Sequence, residues 1–162
     1  MFQNILVGLD ESVEGEAILP HVEVLAKQFH SKLTLVHVNT SLTQVIASSS
    51  GGPGDIGAAY IDPAPILEAE RSESQSYLEH VALRLREKGL DVDWVSPEGA
   101  PADRIVRLSD ELGADLIAMV THGRAGLERA LLGSVSDDVV RHAHCPMLLV
   151  RAPDHSVGHE HR

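Results

Sequence analysis

The sequence predicts an α/β protein built on a doubly wound, five-stranded parallel sheet with four helices. Short apolar runs rich in branched residues alternate with segments of helical spacing along most of the chain. The first unit reads strand, helix, strand, which implies parallel pairing through a right-handed crossover. The run at 4–9 is nearly all apolar, as expected of a strand buried on both faces. A length of 162 residues fits one domain.

The predicted elements follow one another in strict alternation. Strands are predicted at 4–9, 33–38, 90–95, 115–120 and 147–150. Helices are predicted at 13–29, 65–88, 102–112 and 134–142. Ser12 is a candidate cap for the first helix, Ile66 is placed on the inward side of the second, and Gly89 and Gly113 end the second and third. The segment 39–64 is small, polar and rich in glycine and proline, which is typical of a mobile or binding loop.

The bulk composition excludes several classes of partner. A formal net charge of −11 disfavours non-specific binding to nucleic acid and docking on anionic lipid. No apolar run approaches the roughly 20 residues that cross a bilayer, so we expect no membrane insertion. Cys145 is the single cysteine, which favours a reducing compartment. The first residues also lack the basic leader of a secretory signal, and we expect a cytoplasmic protein.

In a doubly wound sheet, ligands bind outside the carboxyl ends of the strands, where the strand order reverses. The candidate ligand residues therefore follow strands one, two and four, at Gly8–Ser12, Val38–Thr40 and Val120–Ser136.

The segment from Thr121 to Ser134 is the most informative part of the chain. It leaves a buried strand, contains Gly123, Gly126 and Gly133, and re-enters a helix at Ser134. A helix start offers free N–H groups and a positive dipole end, which favours an anion. Ser134 and Asp137 have the spacing of a capping box. The alternative interpretation is a flexible strand-to-helix turn that binds nothing.

The whole pattern resembles the universal stress protein, or UspA-like, family. The resemblance rests on ILVGLD followed by Ser12, on LTLVHV, on the long variable loop, on Gly123 followed by nine residues and Gly133-Ser134, and on His144-Cys145-Pro146. It implies a domain over 1–151, with a disordered, histidine-containing tail at 152–162. Val120 departs from the family motif, whose first glycine belongs at that position. The alternative there is an ordinary strand residue in a member that no longer binds nucleotide.

The resemblance implies an adenine-nucleotide α-hydrolase-like fold with strand order 3-2-1-4-5 and a site for ATP, ADP or AMP. Asp10 would accept a hydrogen bond from a ribose hydroxyl or help to hold Mg²⁺ beside ATP; its alternative is a solvated carboxylate at a strand end. The implied site is lined at the ribose and adenine by Gly8, Leu9 and Asp10, at the adenine edge by the backbone of Val38, around the ribose and phosphates by Val120, Thr121, His122, Gly123, Arg124, Ala125 and Gly126, and at the phosphates by Gly133, Ser134, Val135 and Ser136.

No catalytic residue is predicted. The sequence contains no Gly-Lys-Ser/Thr that would bring a lysine to the β and γ phosphates. His122 lies in the phosphate turn, with no carboxylate partner evident from the sequence, so we expect negligible turnover.

The expected function is an adenine-nucleotide-binding stress-response module that regulates through its dimer and an unknown protein partner. Two alternatives remain: a stress protein that holds no nucleotide, and an ATP-using adenylating enzyme. The absence of a pyrophosphate loop at Leu9–Ser12 argues against the second alternative. The strand Met147–Val150 is apolar on both sides and is expected at the sheet edge, which predicts a homodimer through it. The family resemblance implies the same interface, and the alternative is that the tail folds back over this edge.

Overall fold

The computed structural model describes residues 1–39, 41–43, 62–122 and 133–153. Its strands are β1 (Asn4–Gly8), β2 (Lys32–Val36), β3 (Asp91–Val95), β4 (Leu116–Thr121) and β5 (Met147–Arg151). Its helices are α1 (Leu19–Phe29), α2 (Ala64–Glu87), α3 (Pro101–Glu111) and α4 (Ser134–His142), with a 3₁₀ helix at Gly15–Ile18.

The five strands form one parallel sheet in the order β3-β2-β1-β4-β5, which confirms the predicted fold class and strand order. Ile5 of the central strand pairs with Leu33 on one side and Leu116 on the other. All six residues of β4 are buried. Both faces are covered, as parallel sheets require.

Strand alternation divides the core into two clusters, one on each face of the sheet. Ile5 and Val7 point into the first cluster, beneath α1 and α2, whereas Leu6 points into the second, beneath α3 and α4. The first cluster is the larger and includes Leu78, Val81 and Leu85 of α2. No described helix is long and apolar enough to cross a membrane.

The first predicted helix differs from the one observed. Its opening turn is the 3₁₀ helix Gly15–Ile18, and α1 begins only at Leu19. Pro20 stands in the first turn of α1 and has no N–H to donate to Glu16, so the α-helical ladder cannot extend back through this turn. Ser12 does act as a local acceptor: its hydroxyl receives the N–H of Gly15 at 2.9 Å.

The prediction that Ile66 faces inward is wrong, since its side chain is 56% exposed. The first buried residue of α2 is Ser74, so the first ten residues of this helix carry no buried side chain. They project beyond the region in which the sheet provides a core. Gly89 and Gly113 follow α2 and α3 with φ of 83° and 61°, which confirms their predicted role as helix stops.

Candidate functional site

Three chain segments converge at the carboxyl end of the sheet, where the strand order reverses between β1 and β4. They are the turn after β1 at 9–12, the residues after β2 at 37–39, and the last residue of β4, Thr121, with His122 after it. The start of α4 joins them: a Cβ built on Gly133 would lie 3.9 Å from the backbone nitrogen of His122. These segments meet at the predicted position, and the space that they border is called the crevice below.

Asp10 is held in a defined orientation by the turn after β1. Its Oδ1 accepts the N–H of Ser12 at 3.1 Å and the hydroxyl of Ser12 at 2.6 Å. The carboxylate also occupies the space above Gly15, where a Cβ would come within 2.1 Å of the same oxygen. Sequence reasoning did not select Gly15. The spacing Asp-x-Ser-x-x-Gly is the signal that points to it, since Ser12 contacts both Asp10 and Gly15.

The other oxygen of Asp10 meets a histidine from β4. Asp10 Oδ2 lies 2.6 Å from His122 Nε2, and the two side chains are about half exposed, at 48% and 51%. The expectation that His122 lacks a carboxylate partner is therefore wrong; the pair spans 112 positions of sequence, beyond the reach of local patterns. Burial raises the pKa of Asp10, but hydrogen bonds from Ser12 and His122 outweigh it and hold the pKa below its ordinary value. The carboxylate is thus ionised at neutral pH.

A second histidine holds the same turn from the β2 side. His37 Nδ1 lies 2.9 Å from the carbonyl oxygen of Leu9, and because a carbonyl only accepts, this nitrogen is the donor. His37 Nε2 lies 3.5 Å from Glu11 Oε1. Glu11 has a φ of 64°, in the left-handed region that few side chains adopt. Glu11 lies within the predicted range Gly8–Ser12, whereas His37 was not selected from the sequence, since their contact depends on the β1–β2 register.

Val38 presents free backbone groups to the crevice. Asn39 donates to Pro97 O at 2.8 Å and accepts from Gly99 N at 3.1 Å, which extends the β2–β3 pairing past the end of both strands. Successive peptide groups of a strand alternate in direction, so those of Val38 face β1. The last β1 bond on this side runs from Leu9 N to Val36 O at 2.9 Å. Within the described ranges, the N–H and C=O of Val38 have no partner.

The start of α4 is also free of side-chain caps. Gly133 is its N-cap residue and makes no side-chain hydrogen bond, and Ser136 Oγ donates instead to Gly133 O at 3.0 Å. The predicted capping box is therefore wrong. The side chain of Asp137 pairs with Arg141 one turn along the helix, at 3.0 Å, because an exposed i,i+4 partner is available there. The N–H groups of residues 134–136 have no partner in the part of the chain that is described.

The sequence model of the Universal stress protein family matches residues 1–151. The chain belongs to this family. Universal stress protein MJ0531 of Methanocaldococcus jannaschii is 31% identical over 153 residues, covering 94% of this chain and 84% of that protein. Universal stress protein YxiE of Bacillus subtilis is 32% identical over 151 residues, covering 93% of this chain and all of that protein.

Solved structures of other universal stress proteins share the fold. Protein MJ0577 superposes with a TM-score of 0.75 at 24% identity, over 95% of this chain and 99% of its own. A universal stress protein in complex with cAMP superposes with a TM-score of 0.63 at 24% identity, over 94% of this chain and 98% of its own. An Arabidopsis thaliana family member with AMP bound superposes with a TM-score of 0.65 at 18% identity, over 96% of this chain and 95% of its own. The fold of this universal stress protein is accordingly the adenine-nucleotide α-hydrolase-like one.

The structure of this universal stress protein brings most of the predicted site residues to one edge of the sheet. Leu9 is only 6% exposed, and both of its backbone groups are already bonded, the N–H to Val36 O and the C=O to His37 Nδ1. Gly8 packs against Met119, whose Cγ would lie 3.2 Å from an added Cβ. Gly123, Arg124, Ala125 and Gly126 lie outside the described residues.

Val120, which replaces the motif's first glycine, is a core residue. Its side chain is 9% exposed and belongs to the cluster beneath α1 and α2, and it pairs with Val150 of β5. Thr121 is buried as well, and its carbonyl accepts the N–H of Ala152 at 3.0 Å. Pairing with β5 therefore fixes the backbone around Val120, with or without a bound ligand.

Proposed function

We propose that this universal stress protein binds an adenine nucleotide, ATP, ADP or AMP, in the crevice between β1 and β4. The observation that carries the proposal is the convergence of three unlike groups there. The free peptide groups of Val38, the ionised carboxylate of Asp10 and the uncapped start of α4 all lie at this carboxyl edge of the sheet. They suit a base, a ribose and a phosphate chain, in that order.

The base would be read by backbone groups alone. The C=O of Val38 accepts from the N6 amino group of adenine, and its N–H donates to an acceptor nitrogen on the same edge. This donor–acceptor pattern needs no side chain, which fits a position whose own side chain is the aliphatic one of Val38.

The phosphates would meet the start of α4. The N–H groups of Ser134, Val135 and Ser136 lack partners in the described residues, and the helix dipole favours an anion at this end. Gly133 leaves the approach open, and Gly123, Arg124, Ala125 and Gly126 are proposed to complete the enclosure. A local site of this kind is needed, because the net charge of −11 repels an anion at long range.

Asp10 is proposed to bind the ribose or, with ATP, a Mg²⁺ ion. No group of three or more His, Cys, Asp or Glu side chains capable of holding a metal occurs among the described residues. This fits Mg²⁺, which keeps several waters and is usually held by one or two carboxylates together with substrate phosphates. The ion would screen the charge between Asp10 and the phosphates.

The relatives support the nucleotide class. Two structures with this fold contain adenine nucleotides, cAMP in one and AMP in the other. Both ligands share the adenine and ribose with ATP and differ in their phosphates. The choice among ATP, ADP and AMP in this chain therefore depends on the phosphate side of the crevice.

Regulation is proposed to act through a homodimer and an unknown protein partner. Among the described strands β5 is an outer one, hydrogen-bonded to β4 alone, and its residues 147–150 are all partly exposed. Antiparallel pairing with a second copy would satisfy its free backbone groups and cover Leu148 and Val150. Leu149→Pro removes a ladder donor and should give monomers or aggregate in analytical ultracentrifugation. A wild-type protein that sediments as a monomer at micromolar concentration would contradict the dimer.

The nucleotide proposal is tested on freshly purified full-length protein. Mass spectrometry of the small molecules released on denaturation identifies any resident nucleotide, and calorimetry with ATP, ADP and AMP, each with and without Mg²⁺, measures affinity. We expect a resident or titratable adenine nucleotide. If neither method detects one, the protein acts without nucleotide, through its surfaces.

A further inference from the structure

A closed ring of three hydrogen bonds lies directly beside Val38. The side-chain amide of Asn39 donates from Nδ2 to Ser96 Oγ at 2.6 Å. Ser74 Oγ donates to Asn39 Oδ1 at 2.8 Å, and the two serine oxygens lie 3.1 Å apart. With Ser96 donating to Ser74, each of the three side chains donates once and accepts once within the ring. Ser74 Oγ also lies 3.1 Å from the carbonyl oxygen of Arg71, and the second N–H of the Asn39 amide is not used by the ring.

The ring lies where β2, β3 and α2 meet, with Asn39 and Ser74 buried and Ser96 partly exposed. Asn39 is 5% exposed and Ser74 is 0% exposed. A closed polar network in such a place rigidifies its surroundings, whereas an apolar packing of equal volume stabilises a fold without directing any one group. Nearer the surface, an ion pair between Arg71 and Glu98 joins α2 to the segment that follows β3.

The orientation of Asn39 determines the orientation of Val38. The C=O of Val38 and the N–H of Asn39 belong to one planar trans peptide and point in opposite directions. That N–H is bonded to Pro97 O at 2.8 Å on the β3 side. Because the ring also anchors the Asn39 side chain, the plane cannot turn, and the C=O of Val38 stays directed at the crevice.

We infer that the ring of Asn39, Ser74 and Ser96 positions Val38 and thereby makes the crevice selective for adenine over guanine. The inference rests on the proposed nucleotide site. Adenine places an amino donor beside an acceptor nitrogen, which complements a fixed C=O and N–H. Guanine reverses the pattern, with a carbonyl beside an N–H, and would set acceptor against acceptor. A site built to hydrogen-bond one edge rejects the other only if its groups cannot rotate to suit it.

The test compares Kd values for ATP, GTP and tripolyphosphate by calorimetry in the full-length protein. Ser96→Ala and Asn39→Leu open the ring, whereas Ser96→Thr keeps a hydroxyl there as the matched control. We expect the ATP-over-GTP preference to fall by roughly tenfold or more in the first two, the worth of one neutral hydrogen bond. We expect the control to keep the preference and tripolyphosphate to bind all variants alike.

Circular dichroism and thermal unfolding verify each variant, and Ser96→Ala carries the test alone if Asn39→Leu does not fold. An unchanged ATP-over-GTP ratio in a folded ring-opened variant overturns the inference and leaves nucleotide binding standing. Equal losses of affinity for ATP, GTP and tripolyphosphate in a ring-opened variant also overturn the inference, since they indicate that the ring supports the fold in general. A wild type that binds no nucleotide overturns both the inference and the proposed function.

Discussion

The two sides of the crevice are built in different ways. On the β2 side, Asn39 and Ser74 are buried in a closed hydrogen-bond ring, and the neighbouring peptide is held in one orientation. On the β4 side, Asp10 and His122 are about half exposed, and α4 begins without a side-chain cap. On the first side the unpartnered N–H and C=O of Val38 stand beside a network that holds them, whereas on the second the unpartnered N–H groups of α4 have no such support among the described contacts. We therefore expect base recognition to be preorganised and the phosphate side to respond to what is bound.

The largest effect is expected at Gly133. Gly133→Leu should weaken ATP binding roughly 100-fold or more, because a bulky side chain blocks two or more hydrogen bonds from the helix start to a charged phosphate. The backbone there, with φ −54° and ψ 152°, suits any residue, so the fold should persist. Calorimetry and thermal unfolding measure the two effects.

Gly133→Ala is the matched control for this variant. An added Cβ would come no closer than 3.6 Å to Ser136 Oγ, an ordinary contact, so the alanine variant should keep most of the affinity. Equal affinity of the leucine variant and the wild type would show that the phosphates do not approach this helix start.

Val120→Gly is expected to change affinity and stability in opposite directions. If the valine narrows the nucleotide pocket, its removal tightens ATP binding by on the order of 1 kcal/mol. The same change should cost about 2 kcal/mol of unfolding free energy, since it empties a core position and places glycine in a strand. Calorimetry and urea unfolding separate the two quantities. An unchanged or weaker affinity would show that the valine is accommodated in the site.

The charged side of the crevice should also contribute a small pH dependence to stability. The pKa of Asp10 is lowered from 3.8 in the folded state, so its contribution is present above that value and is lost as the pH falls below it. Wild type should therefore lose more unfolding free energy than Asp10→Asn between about pH 5 and about pH 3. Ser96→Ala serves as the control, because the ring of Asn39, Ser74 and Ser96 contains no titratable group. The unfolding free energy that this variant loses over the same pH range should match the loss in wild type. Parallel losses in wild type and Asp10→Asn would contradict the prediction.

The smallest expected effect is on turnover. A carboxylate beside a histidine is an arrangement that can orient a general base, yet no lysine is supplied to the phosphates by any Gly-Lys-Ser/Thr sequence. ATP hydrolysis should stay well below roughly 1 s⁻¹, the low end of ordinary enzymes, in a phosphate-release assay. A faster rate that His122→Ala abolishes would assign catalysis to this pair, and one that survives would point to another group or a contaminant.

The sequence predicted those features that depend on local patterns or on general rules of topology. The bounds of α4 agree residue for residue, and the carboxyl-end rule placed Asp10 and Val38 at the crevice. The contacts that distinguish the two sides were not predictable. Asn39 meets Ser74 across 35 positions and Ser96 across 57, and single polar residues carry no periodic signal. The 3₁₀ turn before α1 was missed because the helical spacing of apolar residues over 13–29 does not show the effect of the N–H that Pro20 lacks.

After β2, successive peptide groups point in opposite directions, so the amides of Val38 and Asn39 should exchange with solvent at different rates. The N–H of Asn39 is bonded inside the fold, at 2.8 Å to Pro97 O, whereas that of Val38 faces the crevice without a partner in the described ranges. In the free protein, deuterium should therefore enter at Val38 much faster than at Asn39. A bound base would slow the first amide and leave the second unchanged. Exchange at Val38 thus reports whether the crevice is occupied, and exchange at the next residue, Asn39, reports the stability of the fold behind it.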